Sequence, residues 1–329
     1  MMDAAKYKQQ LDAALAFMQD GNDFLVVSHV QPDGDAISST SVVGWLLHKL
    51  GKSAMLMNEG EAPSRLSYLL NFDDIINYRL VKPTHTYKYV IAVDCADYRR
   101  IGEVSHLFAG DVKLLNIDHH PTNDDFGSTN LIRPDAAATV EILYDLIERA
   151  SIDFDKDCAT AIYTGLLTDT GGFRYSNTSS RVMEIASRML ELGVSGHQLA
   201  DHLLEKMTMP KLKLLQRSLS RLTFSDNQQI GWLYIEKNDM KEIGAVSEDI
   251  EGIVNYALNI DGVEVGILFK ETEDGAVKAS LRSAGKVDVA AIAQSFGGGG
   301  HVRAAGCRLN NPLPVAIEEL VNAVRKALN

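Results

Sequence analysis

Cysteine is scarce in this chain of 329 residues, and the three present, Cys95, Cys158 and Cys307, lie far apart. That spacing excludes zinc ribbons and disulfide scaffolds, and it implies a reducing, cytoplasmic setting. Basic charge is also short: 32 lysines and arginines face 44 aspartates and glutamates, for a formal charge of -12. The deficit disfavours a broad phosphate-binding face for long nucleic acid, but it leaves room for a local basic pocket. No apolar run is long enough to span a bilayer, so no membrane association is expected. The opening MMDAAKYKQQLDAALAFMQDGNDF carries charges in a helical pattern, unlike a signal peptide. Internal repeats are missing, and the one low-complexity tract is the GGGG of residues 297–300.

What remains is an ordinary globular composition, 46% hydrophobic and 23% charged, at a length that favours two domains. In the first half, short β-branched runs (FLVVSH, SAMLMN, YVIAVDCAD, VKLLNIDHH) alternate with helical patterns (AISSTSVVGWLLHKLG, AAATVEILYDLIERA, KDCATAIYTGLLTDTGGF). Such alternation predicts an α/β domain with a mostly parallel sheet flanked by helices, over residues 1–194. Residues 195–224 read as a linker helix with a break at Pro210. Residues 225–329 read as a smaller α/β domain, with strands QIGWLYIE, VEVGILFKE and AVKASLRS around the helices VSEDIEGIVNYALNI and DVAAIAQSF.

Ionisable groups gather where these elements end: His29, Asp33 and Asp35; Asp94; Asp118, His119 and His120; Asp169. Singly, each has a plain structural reading. HVQPDGDA is a polar turn with Asp35 capping the next helix, Asp94 caps a turn, and Asp169 ends a helix. Together they would meet at one edge of a parallel sheet, where uncompensated carboxylates resist joint ionisation and cations resolve the conflict. Oxygen-rich donors with imidazole and without thiolate suit Mn²⁺ or Mg²⁺ better than structural zinc. The donors outnumber the needs of one ion, so two divalent ions sharing a carboxylate are expected, with phosphoryl transfer as their chemistry.

A second constellation is SFGGGGHVRAAG, residues 295–306. Successive glycines lose much backbone entropy on folding, and close approach of backbone N–H groups to an anion gives them a reason. His301 and Arg303 follow, and Arg282 ends a neighbouring strand; these could complete a phosphate pocket. The tract is not a Walker A loop, since no Gly-Lys-Ser/Thr follows. The alternative is a flexible loop with incidental charges.

HVQPDGDA, VDCAD, IDHH and TGLLTDTGGF resemble, in order, the four motifs of the DHH phosphoesterases, and GGGGHVRAAG resembles the signature of their associated DHHA1 domain. Within that superfamily, length and layout are most similar to the bacterial oligoribonucleases that degrade very short RNA and dephosphorylate 3′-phosphoadenosine 5′-phosphate. The resemblance implies that His29 and Asp33 bind one Mn²⁺, that Asp35, His119 and Asp169 bind the other, and that Asp94 bridges them. It implies that Asp118 orients a histidine and that His120 faces the reacting phosphate, which with Asp94 makes three catalytic positions. Arg100, in DYRRIG, matches a family arginine more loosely. Arg282, Gly298, Gly299, Gly300, His301 and Arg303 would hold the substrate's terminal phosphate or base. The implied substrates are short RNA or DNA oligonucleotides and phosphorylated nucleotides, and a homodimer is compatible with the reading. Cyclic or linear dinucleotides are the alternative substrates, and a non-catalytic nucleotide-binding protein is the alternative of another class.

Overall fold

The structure is a computed structural model that describes residues 4–328. The chain divides into two compact units, Met1–Lys206 and Met207–Asn329. None of the described helices is long and apolar enough to cross a membrane.

The first unit is built on six strands: β1 (Phe24–Val27), β2 (Ala54–Asn58), β3 (Ile75–Asn77), β4 (Tyr87–Val93), β5 (Phe108–Asp118) and β6 (Thr129–Ile132). They stand in the order β3-β2-β1-β4-β5-β6, every neighbouring pair parallel. Unbroken apolar runs such as FLVV fit this sheet because both of its faces are covered. Side chains alternate between those faces: Phe24 and Val26 join the core beneath the helices, while Leu25 and Val27 join a second core with Ile101 and Val104 of the 3₁₀ stretch Tyr98–Leu107. The helices of the larger core are α1 (Ala4–Asp20), α2 (Gly34–Lys49), α3 (Thr139–Ala150), α4 (Lys156–Asp169) and α5 (Ser180–Glu191). After β1 the chain steps outward through β2 and β3, then returns to lay β4 on the other side of β1. The strand order therefore reverses between β1 and β4, where the loops at the carboxyl ends part and leave a crevice.

Between 195 and 224 the chain forms a short helix α6 (Gly196–Ala200), a π turn Asp201–Glu205 and the helix α7 (Met209–Leu219). Pro210 does not break a helix; it lies in the first turn of α7, where a missing N–H costs nothing, and the Thr208 side chain caps that turn.

The second unit holds the strands β7 (Thr223–Phe224), β8 (Ile230–Ile235), β9 (Val265–Glu271), β10 (Val277–Ser283), β11 (Gly299–His301) and β12 (Ala304–Leu309), ordered β11-β12-β10-β9-β8-β7. Its helices after α7 are α8 (Asp239–Ile243), α9 (Asn255–Leu258), α10 (Val289–Ser295) and α11 (Leu313–Leu328). One sheet face packs Ile267, Phe269, Ala279 and Leu281 with residues of α10 and α11. On the other face, Leu233, Ile235 and Leu268 pack with Leu214 and Leu215 of α7 and Ala257 of α9. The run VSEDIEGIVNYALNI is not one helix: a 3₁₀ turn, Ser247–Ile250, precedes α9, and Gly252 at φ +81° turns the chain between them. The glycine tract is not a loop throughout either, since Gly299–His301 pairs with β12 as a strand.

Candidate metal centre

Strand register assembles the centre. Val27 lies opposite Ala92, and Val93 opposite Ile117. Counting on from these pairs, His29 and Asp94 just past β1 and β4 and Asp118 at the end of β5 lie side by side, at the reversal of strand order. Asp94 donates its backbone N–H to the Ile117 carbonyl and sits in the left-handed region at φ +57°. That conformation is sparsely populated by residues other than glycine, though aspartate tolerates it.

The two carboxylate oxygens of Asp94 face different neighbours. Oδ2 lies 3.5 Å from His29 Nε2, and Oδ1 lies 3.5 Å from His119 Nε2. His29 Nε2 is also 3.9 Å from Asp33 Oδ2, and His119 Nε2 is 3.4 Å from Asp169 Oδ2. Three sets of side chains thus offer donor atoms within 4.8 Å of one another: His29, Asp33 and Asp94; Asp35, His119 and Asp169; Asp94, His119 and His120. Each histidine is steered from behind. His29 Nδ1 donates to the Val30 carbonyl at 2.9 Å, and His119 Nδ1 meets the Ala136 carbonyl at 3.3 Å, which turns both Nε2 atoms toward the carboxylates, where each can donate N–H to an oxygen or, when deprotonated, a lone pair to a cation.

Asp118 is fully buried and holds His120 Nδ1 at 2.7 Å. Its other oxygen accepts from Asn123 Nδ2 at 2.6 Å, and Asn123 also donates to the Cys95 carbonyl. Asp33, rather than Asp35, caps α2, accepting from the backbone N–H groups of Asp35 and Ala36. Asp35 is instead fully buried in the first turn of α2. There it accepts from Thr139 N at 2.6 Å and Val140 N at 3.2 Å, at the start of α3. Thr139 Oγ1 donates to Asp94 Oδ1 at 3.0 Å, so one residue braces two of the carboxylates. Gly165 of α4 lets that helix approach: a Cβ there would stand 2.7 Å from Asp35 Oδ1. Arg100 donates no side-chain bond within this set, but its backbone carbonyl accepts from Val30 N, and its charge opposes protonation of His29.

The electrostatics are those of a site short of positive charge. Burial first, and then the charge of Asp94, push the Asp35 carboxyl up to about 8. Burial, followed by Asp35, Asp33 and Asp94, raises Asp169 well above the carboxylate range. Asp94 goes the other way: burial opposes its ionisation, but the bond to His29 and the charges of His119, His29 and His120 outweigh it. In both His29 and His119 burial favours the neutral ring, yet the surrounding carboxylates raise their pKa values. Carboxylates and imidazoles converge here without a thiolate, a donor set that fits divalent cations of the Mn²⁺ or Mg²⁺ kind and gains from their charge.

In the second unit, β11, β12 and β10 carry the remaining candidates. His301 pairs with Ala304, and Ala304 pairs with Arg282, so His301 and Arg282 share one row on one sheet face. Arg303 lies in the turn between β11 and β12, its guanidinium beside Gly285. The glycines divide by role. A Cβ on Gly298 would stand 2.1 Å from the Gly306 carbonyl oxygen, and Gly300 needs its φ of +142°. Gly299 has neither constraint, with open space where its Cβ would be.

The DHH family N-terminal domain matches residues 23–166, and the DHHA1 domain matches residues 229–329. A Thermus thermophilus protein described as the bifunctional oligoribonuclease and PAP phosphatase NrnA is 34% identical over 308 residues, covering 92% of this chain and 89% of that one. The chain belongs to the DHH–DHHA1 family. The NrnA of Bacillus subtilis is 27% identical over 85% of this chain and 87% of its own length. Among solved structures, an exopolyphosphatase-related protein from Bacteroides fragilis superposes with a TM-score of 0.89 at 27% identity, over 98% of this chain and 96% of that one. For this member of the family, sequence reasoning missed Thr139 and Gly165, which meet the candidate ligands Asp35 and Asp94, and Asn123, which holds Asp118. Only Thr139 has a local signal: AAATV starts a helix, and N–H groups at a helix start seek an acceptor.

Proposed function

We propose that this chain is a two-metal phosphoesterase that hydrolyses very short oligonucleotides to 5′-mononucleotides and 3′-phosphoadenosine 5′-phosphate to AMP and phosphate, in the cytoplasm and with Mn²⁺ as the working ion. The observation that carries the reading is Asp94, whose two oxygens face two separate donor sets. In this reading His29 and Asp33 hold one ion, Asp35, His119 and Asp169 hold the other, and Asp94 joins them. When bound, such ions supply Lewis acidity, a more acidic water and charge to offset the phosphoryl oxygens.

The protein's own groups do the rest. Asp118 fixes the Nδ1 proton of His120, so that His120 presents Nε2 to the phosphate. Thr139 and the α3 backbone keep Asp35 and Asp94 oriented, and Arg100 adds positive charge near His29. Residues 1–194 perform the chemistry, and residues 225–329 recognise the nucleotide through Arg282, Gly298, Gly299, Gly300, His301 and Arg303. The names of the Thermus and Bacillus relatives support both substrates. The net charge of -12 supports a short one, since a substrate of few phosphates needs a local basic patch and not a basic surface.

The test is turnover of an end-labelled RNA dinucleotide, a 24-mer and 3′-phosphoadenosine 5′-phosphate, with Mn²⁺ and with chelator. Mn²⁺-dependent hydrolysis favouring the dinucleotide over the 24-mer is the expected result. Equal rates on both lengths, or rates indifferent to chelator, would overturn it.

A further inference from the structure

Two lysines face each other in the middle of the second sheet. Lys270 of β9 and Lys278 of β10 are direct partners in the antiparallel register. Like charges directly opposite on adjacent strands are destabilising. Lysines are common on edge strands, where they discourage aggregation, but β9 and β10 are both interior strands of the order β11-β12-β10-β9-β8-β7, so that explanation does not apply. Among the described residues neither lysine has a carboxylate within ion-pair distance, whereas Arg308, next in the same row on β12, is paired with Asp274. Lys270 is half-buried, and burial first, then Lys278, lowers its pKa.

The surface around the pair is shaped for an extended ligand. Lys278, Ser280 and Arg282 alternate onto one face of β10. Opposite Ser280 and Arg282 on β12 stand only Gly306 and Ala304. From the Arg282–His301 row to the Lys270–Lys278 row the floor is therefore low over β10 and β12, and on the β9 side it is bounded by Leu268, opposite Ser280 and buried against α7 and α9. The four-residue step along β10 is about 14 Å, or about four stacked nucleotide steps of a single strand and fewer of an extended one.

We propose that Lys270 and Lys278 form a second phosphate subsite, which takes a backbone phosphate of an oligonucleotide whose end is held at the Arg282–His301 row. The subsite rests on the reading of this unit as the nucleotide-binding one. It sets a length class: a dinucleotide ends before the lysines, and a chain of about four to six nucleotides reaches them.

The experiment titrates the full-length protein, in chelator to prevent turnover, with fluorescein-labelled RNA dinucleotide and hexanucleotide over a range of KCl. In the Lys270→Met, Lys278→Met double variant, hexanucleotide affinity should fall about tenfold at low salt, with the slope of log K against log salt reduced by about 0.7 for the one lost phosphate contact. Dinucleotide affinity should stay unchanged, which also reports an intact fold, and a Lys270→Arg, Lys278→Arg variant should restore the hexanucleotide. Equal loss at both lengths, no loss at either, or a wild-type protein that binds the hexanucleotide no tighter than the dinucleotide would overturn the subsite. Turnover of the dinucleotide with Mn²⁺ is measured separately. Its absence in the wild type would sink the phosphoesterase reading, while the binding titration still decides the subsite.

Discussion

Asp94 concentrates the consequences of single residues. Asp94→Asn keeps the shape but removes the negative charge that both donor sets share, and the amide nitrogen must turn toward one of them. Turnover should fall about a hundredfold or more, the rate equivalent of the several kcal/mol that ion clamps contribute. Near-normal kcat in that variant would exclude the shared position. Thr139→Val is a finer probe, since it deletes the hydroxyl bond to Asp94 Oδ1 while keeping the backbone bond to Asp35. Calorimetric titration with Mn²⁺ should show about tenfold weaker binding, the usual penalty for losing a group that orients a ligand. Serine at the same position should restore it.

Elements explain why some of this could be read from the chain alone and some could not. Apolar runs such as FLVV in β1 and VIAV in β4 announce themselves, and so do the polar residues just past each one. The ligand candidates were therefore legible as types and positions. What a linear pattern lacks is the register that puts Asp94 between His29 and Asp118, and the crossing that brings Thr139 to Asp35 from 104 residues away. The helices α5 and α11 have apolar faces just as plain, but they end in no cluster of ionisable groups and so carry no sign of the site. GGGG was legible as meaningful but not as divided labour, since only the hairpin shows which glycine faces a backbone. That division can be tested. Gly298→Ala should cost about 1–3 kcal/mol in chemical denaturation, because its Cβ would meet backbone that cannot move aside. Gly299→Ala should leave stability within about 0.5 kcal/mol and raise KM, because its Cβ occupies only space a ligand would use. A similar loss of stability in both would refute the distinction.

At the scale of the whole molecule, the carboxylate crowd couples stability to pH. Asp35 near 8, and Asp169, His29 and His119 all raised, keep protons in the folded chain that the unfolded chain has already released. For groups raised in this way, stability is present in acid and drains as pH climbs through the folded pKa values. Asp94, shifted down, adds its share above about pH 4 and changes nothing further between pH 5 and 8. Chelated protein should therefore melt higher at pH 5.5 than at pH 8, and Mn²⁺ should raise Tm more at pH 8, where binding has fewer of those protons to expel. An equal Mn²⁺ effect at both pH values in differential scanning fluorimetry would contradict this. The reversal of strand order between β1 and β4 reaches further than the place of the crevice. β4 pairs with β1 only by closing a loop that contains β2 and β3, residues 54–77. Non-local parallel pairing of this kind is slow. Capture of the ions must then come late on the folding path, so a refolding chain should show a lag in Mn²⁺ uptake that matches the docking of its central strand.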